Sequence, residues 1–125
     1  MYTFVHFYLQ PGVIDDIYLT SQIASEWTFS GLLSPDIVRQ AVWHYIGTAT
    51  GVVRIFPGVQ ESKYYDPRAR PWYQKAVANP GTVAITSPYL DALGGGHVIT
   101  LSQSIQQTGC DTTIFLFCYV QALLG

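Results

Sequence analysis

The clearest periodic pattern of apolar and polar positions is helical and covers residues 34–46. Its apolar side chains fall on one stripe of a helix, with Ser34 placed to cap the N-terminus and Pro35 at the first helical position. Gly47 follows as a stop signal. The pattern therefore predicts a helix from Ser34 to Ile46.

Strand patterns follow this helix. Residues 52–56 are rich in β-branched and aromatic side chains and are closed by Pro57 and Gly58, which predicts a strand running into a turn. Residues 83–89 and 97–105 predict two more strands, joined by a loop with three consecutive glycines. In residues 97–105 apolar and polar side chains alternate, as in a half-buried antiparallel strand.

A short helix is predicted between these strands, from Pro71 to Ala78. Pro71 suits the first position of a helix, and the sequence Asn79-Pro80-Gly81 is a strong stop. The order of helix, strand, short helix and hairpin indicates an α+β domain with an antiparallel sheet, rather than a parallel βαβ array.

Size and charge narrow the classes of function. The 125 residues suffice for one domain with a core of its own and are too few for two. Charged residues make up 11% of the chain and the net charge is −2, so the chain lacks the excess of basic residues that is typical of a nucleic-acid binder. The two cysteines and three histidines show no metal-ligand spacing, so we expect neither a structural metal nor a cofactor.

The patterns near the two ends of the sequence predict no targeting signal. Residues 1–9 are apolar but lack the basic start and the cleavage site of a signal peptide. The mostly apolar stretch 112–124 is thirteen residues long, against roughly 20 needed to span a bilayer. No signal peptide or transmembrane helix is predicted.

Arg70 is the first candidate for function. Pro71 biases Arg70 toward an extended backbone and starts the short helix, so the guanidinium stands at the N-terminus of that helix. The helix dipole, its free N–H groups and the forked guanidinium all favour a carboxylate or a phosphate. Trp72 and Tyr73 add an indole donor, a phenol and apolar walls. The alternative is a surface arginine followed by two core aromatics.

Tyr89 and Asp91 are the second pair of candidates. They lie at the end of the next predicted strand, where they can line the same cavity as Arg70. An Asp ahead of a glycine-rich loop also commonly caps that loop through its side chain. Both interpretations stay open from the sequence.

Several of these motifs, taken in order, resemble the Cache domain. They are Val53-Arg54-Ile55-Phe56-Pro57-Gly58, Tyr65-Asp66-Pro67-Arg68-Ala69-Arg70-Pro71-Trp72-Tyr73, Ala78-Asn79-Pro80-Gly81, Ser87-Pro88-Tyr89-Leu90-Asp91 and residues 94–102. The resemblance covers residues 34–107 and is strongest to von Willebrand A and cache domain proteins and to the alpha-two-delta subunits of voltage-gated calcium channels.

The resemblance implies an extracellular, PAS-like ligand-binding module with a central antiparallel sheet flanked by helices. In the amino-acid-binding branch of this family, Tyr65, Arg70 and Trp72 match the residues that hold the ligand carboxylate. Tyr89 and Asp91 match residues that face the ligand ammonium. The implied partners are a small carboxylate or amino acid and a channel or receptor subunit.

The sequence departs from the family near its end. A further ammonium-binding Asp is expected in a Gly-x-Asp setting after the hairpin, and Asp111 comes too early for it. Residues from Gly109 onward do not resemble the family, although their apolar run predicts either a buried strand pressed on the sheet or a non-native tail. We therefore divide the chain into an unassigned segment 1–33, an incomplete Cache-like domain 34–108 and a divergent apolar tail 109–125.

Catalysis is not predicted. No helix follows the glycines 94–96 to form a phosphate loop, and no G-x-S-x-G elbow exists. The main alternative to a ligand sensor is a Cache scaffold without a ligand, serving as a structural or regulatory interaction module of a calcium-channel auxiliary-like subunit. The expected sign of that alternative is Arg70 paired internally with Asp66 or Asp91.

Overall fold

A seven-stranded antiparallel sheet forms the centre of the molecule. The computed structural model describes residues 2–5, 11–22, 43–56, 65–106 and 113–122. The strands run in the spatial order β1-β3-β2-β7-β6-β4, and β5 also pairs with β6. Their bounds are β1 Tyr2–Val5, β2 Trp43–Thr48, β3 Val52–Phe56, β4 Ala84–Ile85, β5 Tyr89–Leu90, β6 His97–Gln106 and β7 Thr113–Ala122.

Two α-helices and a 3-10 turn complete the described elements. Residues 13–22 form helix α1, Pro67–Ala69 form the 3-10 turn, and Pro71–Ala78 form helix α2. The predicted short helix is thus confirmed, with Pro71 at its first position and the extended backbone of Arg70 as its N-cap. None of the helices described is long and apolar enough to cross a bilayer.

The two α-helices contact opposite faces of the sheet. Arg54 on β3 donates to the hydroxyl of Thr20 and to the carbonyl of Ile17, both on α1, at 3.2 and 3.0 Å. Its neighbour Ile55 belongs to the core cluster that contains Trp72 of α2. Because successive strand residues point to opposite faces, α1 and α2 lie on either side of β3. The core described below is the one under α2.

The helix predicted over residues 34–46 is wrong for its last four residues. Trp43–Thr48 form strand β2, which pairs with β3 on one side and with β7 on the other; residues 34–42 lie outside the described part of the chain. A strand covered on both faces has apolar residues at consecutive positions, and such a run fits a helical stripe as well as a strand. The hydrogen bonds to β3 and β7 make this run a strand rather than a helix.

The predicted hairpin is confirmed, but its first strand is interrupted. Both β4 and β5 pair antiparallel with β6. Between them the N–H of Thr86 donates to the carbonyl of Thr100, whereas the N–H of Thr100 donates to the side-chain hydroxyl of Thr86, each at 3.0 Å. Pro88 has no N–H to continue the ladder. The strand therefore breaks over residues 86–88 and resumes at Tyr89.

The alternation along β6 is present, yet its polar side is the more buried one. Val98, Thr100, Ser102 and Ser104 are buried, whereas Ile105 is 37% exposed. Two of the three buried hydroxyls have partners on this face: Thr100 shares a hydrogen bond with the Tyr89 hydroxyl, and Ser102 donates to the carbonyl of Trp72. The Ser104 hydroxyl has no partner among the described residues. Helix α2 thus covers a polar strip of the sheet.

Strands also come from both flanking segments of the predicted Cache-like domain. The run predicted as a buried strand pressed on the sheet is β7, which lies within the sheet between β2 and β6. The segment 1–33 contributes β1 and α1, and α1 has a recognisable signal in the helical spacing of Val13, Ile17 and Thr20. The division at residues 34 and 109 remains a prediction.

Candidate functional site

An ion pair shapes the chain that leads into the candidate site. The Asp66 carboxylate accepts two hydrogen bonds from the Arg68 guanidinium, at 3.0 and 2.9 Å, and one from the Arg68 backbone N–H at 2.9 Å. Arg68 also donates to the carbonyl of Ala49. The hydrogen bond with Asp66 raises the pKa of Arg68 above its usual value. Arg68 is therefore engaged within the fold.

Arg70 carries the next positive charge. Its backbone carbonyl accepts from the N–H groups of Tyr73 and Gln74, each at 3.1 Å, and so begins α2. Its half-buried guanidinium lies over the Tyr89 ring, 5.9 Å from the ring centroid, at cation–π distance. Among the residues described, Arg70 has no ion pair and no side-chain hydrogen bond. The Arg70 guanidinium is therefore available to bind an anion.

Trp72 presents a buried donor beside this charge. The side chain is 0% exposed, packs on Tyr45 with ring centroids 5.3 Å apart, and meets Tyr73 edge-on at 5.9 Å. Within the described ranges its indole N–H has no hydrogen-bond acceptor. A buried donor left unpaired costs about 1–3 kcal/mol. Such an N–H is well suited to an oxygen atom supplied by a ligand.

Tyr65 and Tyr73 belong to the same core cluster as Trp72 and are nearly fully buried. Burial raises the pKa of Tyr73, because removing the phenol from water disfavours its charged form. The Tyr73 phenol therefore remains neutral near pH 7, and both residues supply hydroxyl groups inside an apolar cluster. The structure thus brings four of the six predicted side chains, Tyr65, Trp72, Tyr73 and, packed against them, Tyr89, into one cluster.

Asp91 lies at the other end of this cluster and is buried. Its Oδ2 accepts from the indole N–H of Trp43 at 2.8 Å and from the backbone N–H of Gly95 at 2.9 Å. Its Oδ1 accepts from the Tyr45 hydroxyl at 3.2 Å. The bond to Gly95 is the loop cap that the sequence left open as an alternative. Neither Asp91 nor Asp66 pairs with Arg70.

Sequence reasoning missed Trp43 and Tyr45. Both were assigned to a helix, yet on β2 they sit two residues apart on the face that meets α2, as shown by the contact of Tyr45 with Trp72. The signal that was available is the period-two spacing of Trp43, Tyr45 and Gly47 in a run rich in aromatic and β-branched residues. These residues connect Asp91 to Trp72.

An open groove of about 450 Å³ adjoins the site on the outside of α2. Gln74 and Lys75 form one wall, and residues 86–89 form the other. Trp72 and Asp91 do not line it. The groove and the buried cluster share Tyr89 but are otherwise lined by different residues. Among the described residues, no three His, Cys, Asp or Glu side chains are grouped to hold a metal ion.

Comparison with known proteins decides the family. The family model described as the CACHD1 central domain matches residues 4–114. The chain belongs to this family. The resemblance to the Cache domain that the sequence motifs indicated is thereby confirmed, and no enzyme family is indicated by the matches.

Relatives of this CACHD1 central domain support the assignment. The chain is 41% identical over 75 residues to the VWFA and cache domain-containing protein CG16868 of Drosophila melanogaster, covering 60% of the chain and 5% of that protein. It is 26% identical over 81 residues to the human voltage-dependent calcium channel subunit alpha-2/delta-4, covering 60% of the chain and 7% of the subunit. The chain therefore spans a small part of each relative.

The fold matches a solved sensor domain. The ligand-binding domain of the Pseudomonas fluorescens chemoreceptor CtaA, crystallised with L-isoleucine, aligns with a TM-score of 0.62 and 28% identity over 68% of this chain and 34% of that one. The mixed helix and antiparallel-sheet architecture predicted from the sequence is confirmed by this similarity.

Proposed function

We propose that this domain is an extracellular sensor module that binds a small carboxylate, with amino acids as the ligand class. The observation that carries the proposal is the buried indole N–H of Trp72, which has no acceptor among the described residues and lies two residues beyond Arg70. A carboxylate satisfies both groups at once, because it accepts hydrogen bonds from the indole and from the guanidinium.

The remaining predicted residues receive roles around this pair. Tyr65 and Tyr73 supply phenols and apolar walls at the carboxylate end. Tyr89 supports the Arg70 guanidinium through its ring. Asp91 is the proposed partner of a ligand ammonium, since it is a buried carboxylate without a cation at ion-pair distance among the described residues.

The relatives support an amino acid as the ligand and a signalling or channel context. The structurally similar chemoreceptor domain was crystallised with L-isoleucine, and another relative is a calcium channel subunit. We accordingly propose placement on the outer side of a membrane and a channel or receptor subunit as the protein partner. The low proportion of charged residues and the net charge of −2 argue against nucleic acid as a partner.

One observation favours a second function, a Cache scaffold that serves as a structural or regulatory module without a ligand. The Asp91 carboxylate already accepts three hydrogen bonds from within the chain. Because these hydrogen bonds already satisfy the Asp91 carboxylate, this end of the site needs no ligand. The Arg70 guanidinium and the Trp72 N–H, both unpaired within the described part of the chain, weigh against this alternative, because a closed scaffold gains by pairing them.

Calorimetric titration of an amino-acid panel into the wild type and two Arg70 variants tests the proposed function. Arg70→Ala should weaken binding by about tenfold or more, because a charge-assisted contact to a carboxylate contributes on the order of 1.5–3 kcal/mol. Arg70→Lys should also lose affinity, since an ammonium cannot reproduce the fork.

Lys75→Ala is the matched control. It removes a cation from an exposed position of the same helix, in the wall of the outer groove, and should leave the affinity unchanged. A loss of binding in Lys75→Ala with none in Arg70→Ala would move the site to the groove. No binding by the wild type to any member of the panel would favour the scaffold instead.

A further inference from the structure

Tyr45 joins the two ends of the proposed site. Its ring packs against Trp72, and its hydroxyl donates to Oδ1 of Asp91. The side chain is 1% exposed, so the ring is held in place by its surroundings. A single residue outside the family motifs therefore contacts both the proposed carboxylate partner and the proposed ammonium partner.

The Asp91 carboxylate has little room for another donor. A carboxylate offers about four lone-pair positions, two on each oxygen. The donors Trp43 and Gly95 use those of Oδ2, and Tyr45 uses one of the two on Oδ1. A ligand ammonium brings three N–H donors, all of which need acceptors once they are buried. One position on Oδ1 stays open to a ligand ammonium, and a second hydrogen bond to the same oxygen competes with the Tyr45 hydroxyl.

We propose that Tyr45 is a specificity-determining residue, whose hydroxyl occupies one of the two acceptor positions on Oδ1 of Asp91 that a ligand amino group can use and so lowers the affinity for amino acids. The inference rests on the proposed function and adds to it the residue that sets selectivity for the amino group. The Tyr45 ring, by contrast, supports Trp72 and serves the carboxylate end.

Tyr45→Phe separates these two roles, because it removes the hydroxyl and keeps the ring. The probes are L-leucine and 4-methylpentanoate, which share the carboxylate and the side chain and differ by the amino group. In calorimetric titrations, L-leucine should bind about tenfold more tightly to Tyr45→Phe than to the wild type, the scale of one hydrogen bond to a charged group. The affinity for 4-methylpentanoate should not change.

Two further variants sharpen the experiment. Tyr18→Phe removes a phenol that is 67% exposed on α1 and should change neither affinity. Trp43→Phe removes a donor from Oδ2 of the same carboxylate and should raise the affinity for L-leucine as Tyr45→Phe does. Trp43→Phe also keeps the inference testable if Tyr45→Phe does not fold, which thermal melts of each protein establish.

The possible outcomes separate this inference from the proposed function. Wild-type binding with no selective gain for L-leucine in either variant, or with a loss, overturns the role of Tyr45 and leaves the carboxylate site in place. Binding of neither probe, and of no member of the amino-acid panel, by the wild type or the variants overturns the proposed function and this inference with it. Binding of L-leucine by the variants alone supports the role of Tyr45 in its strongest form.

Discussion

The proposed site depends on close contacts between individual side chains, and one of them is between Trp72 and Gly47. A Cβ atom at Gly47 would lie 2.7 Å from Cη2 of Trp72 and 3.2 Å from its Cζ3. Real carbon atoms do not approach so closely without displacement, and a fully buried indole has little space into which to move. Glycine at position 47 therefore allows Trp72 to approach β2 closely.

Gly47→Ala should consequently destabilise the domain by about 1–3 kcal/mol, the usual cost of adding a carbon to a filled core. Urea unfolding followed by tryptophan fluorescence measures it. The control is the double variant Gly47→Ala with Trp72→Phe, in which the smaller ring leaves room for the new methyl group. The double variant should lose less stability than the sum of the two single changes. Additive losses would show that the two side chains do not compete for space.

At the scale of elements, strand β2 has side chains on both faces of the sheet. Tyr45 faces α2, and His44 occupies the other face, near Phe56 of β3 at 6.2 Å between ring centroids. Burial lowers the pKa of His44 below its ordinary 6.5, because desolvation disfavours the charged imidazolium. The folded strand therefore holds His44 neutral at a pH where the unfolded chain already binds a proton.

This difference predicts how stability depends on pH. The unfolded chain takes up more protons than the folded one below about pH 6.5, so the free energy of unfolding should fall as the pH drops from 7.5 to 5.5. Thermal melts across this range should show a shallower decline for His44→Gln than for the wild type. His97→Gln, which removes an exposed histidine at the start of β6, should leave the decline unchanged. If the stability of His44→Gln declined with falling pH as steeply as that of the wild type, groups other than His44 would cause the decline.

Some of these elements could be predicted from the sequence and others could not. Helix α2, strand β3 and the hairpin were predicted because each carries local signals, such as Pro71 at the start of α2 and the glycines between β5 and β6. Arg70 and Trp72 were found because one short motif holds both. Tyr45 and Asp91 are 46 residues apart, and their contact exists only once β2 is placed in the sheet. No local pattern contains that information.

At the scale of the whole molecule, β7 holds the sheet together. Residues 43–48 pair with 115–120, and residues 98–106 pair with 113–122. The strands β1, β3 and β2 form one group and β4, β5 and β6 form another, and β7 is the strand between them. The proposed site draws on both groups, since Tyr45 comes from the first and Asp91 follows β5 in the second.

Phe117→Pro should therefore prevent folding. Proline lacks the N–H that a central strand needs and also fixes the backbone angle φ, so the ladder to both neighbours is broken at residue 117. Circular dichroism and urea unfolding test this. Val83→Pro is the control and should still fold, because Val83 is exposed and precedes the short edge strand β4. A cooperative unfolding transition in Phe117→Pro would show that the two groups of strands associate without β7.

The position of β7 has a consequence for synthesis of the protein. Translation delivers the strands in sequence order, so β7 leaves the ribosome after the six others although it lies in the middle of the finished sheet. Until then, the nascent chain exposes the edges of β2 and β6, whose free N–H and C=O groups are templates for pairing with other chains. Non-local strand pairing of this kind is also slow. The interval before β7 docks is therefore when this domain depends most on chaperones to avoid aggregation.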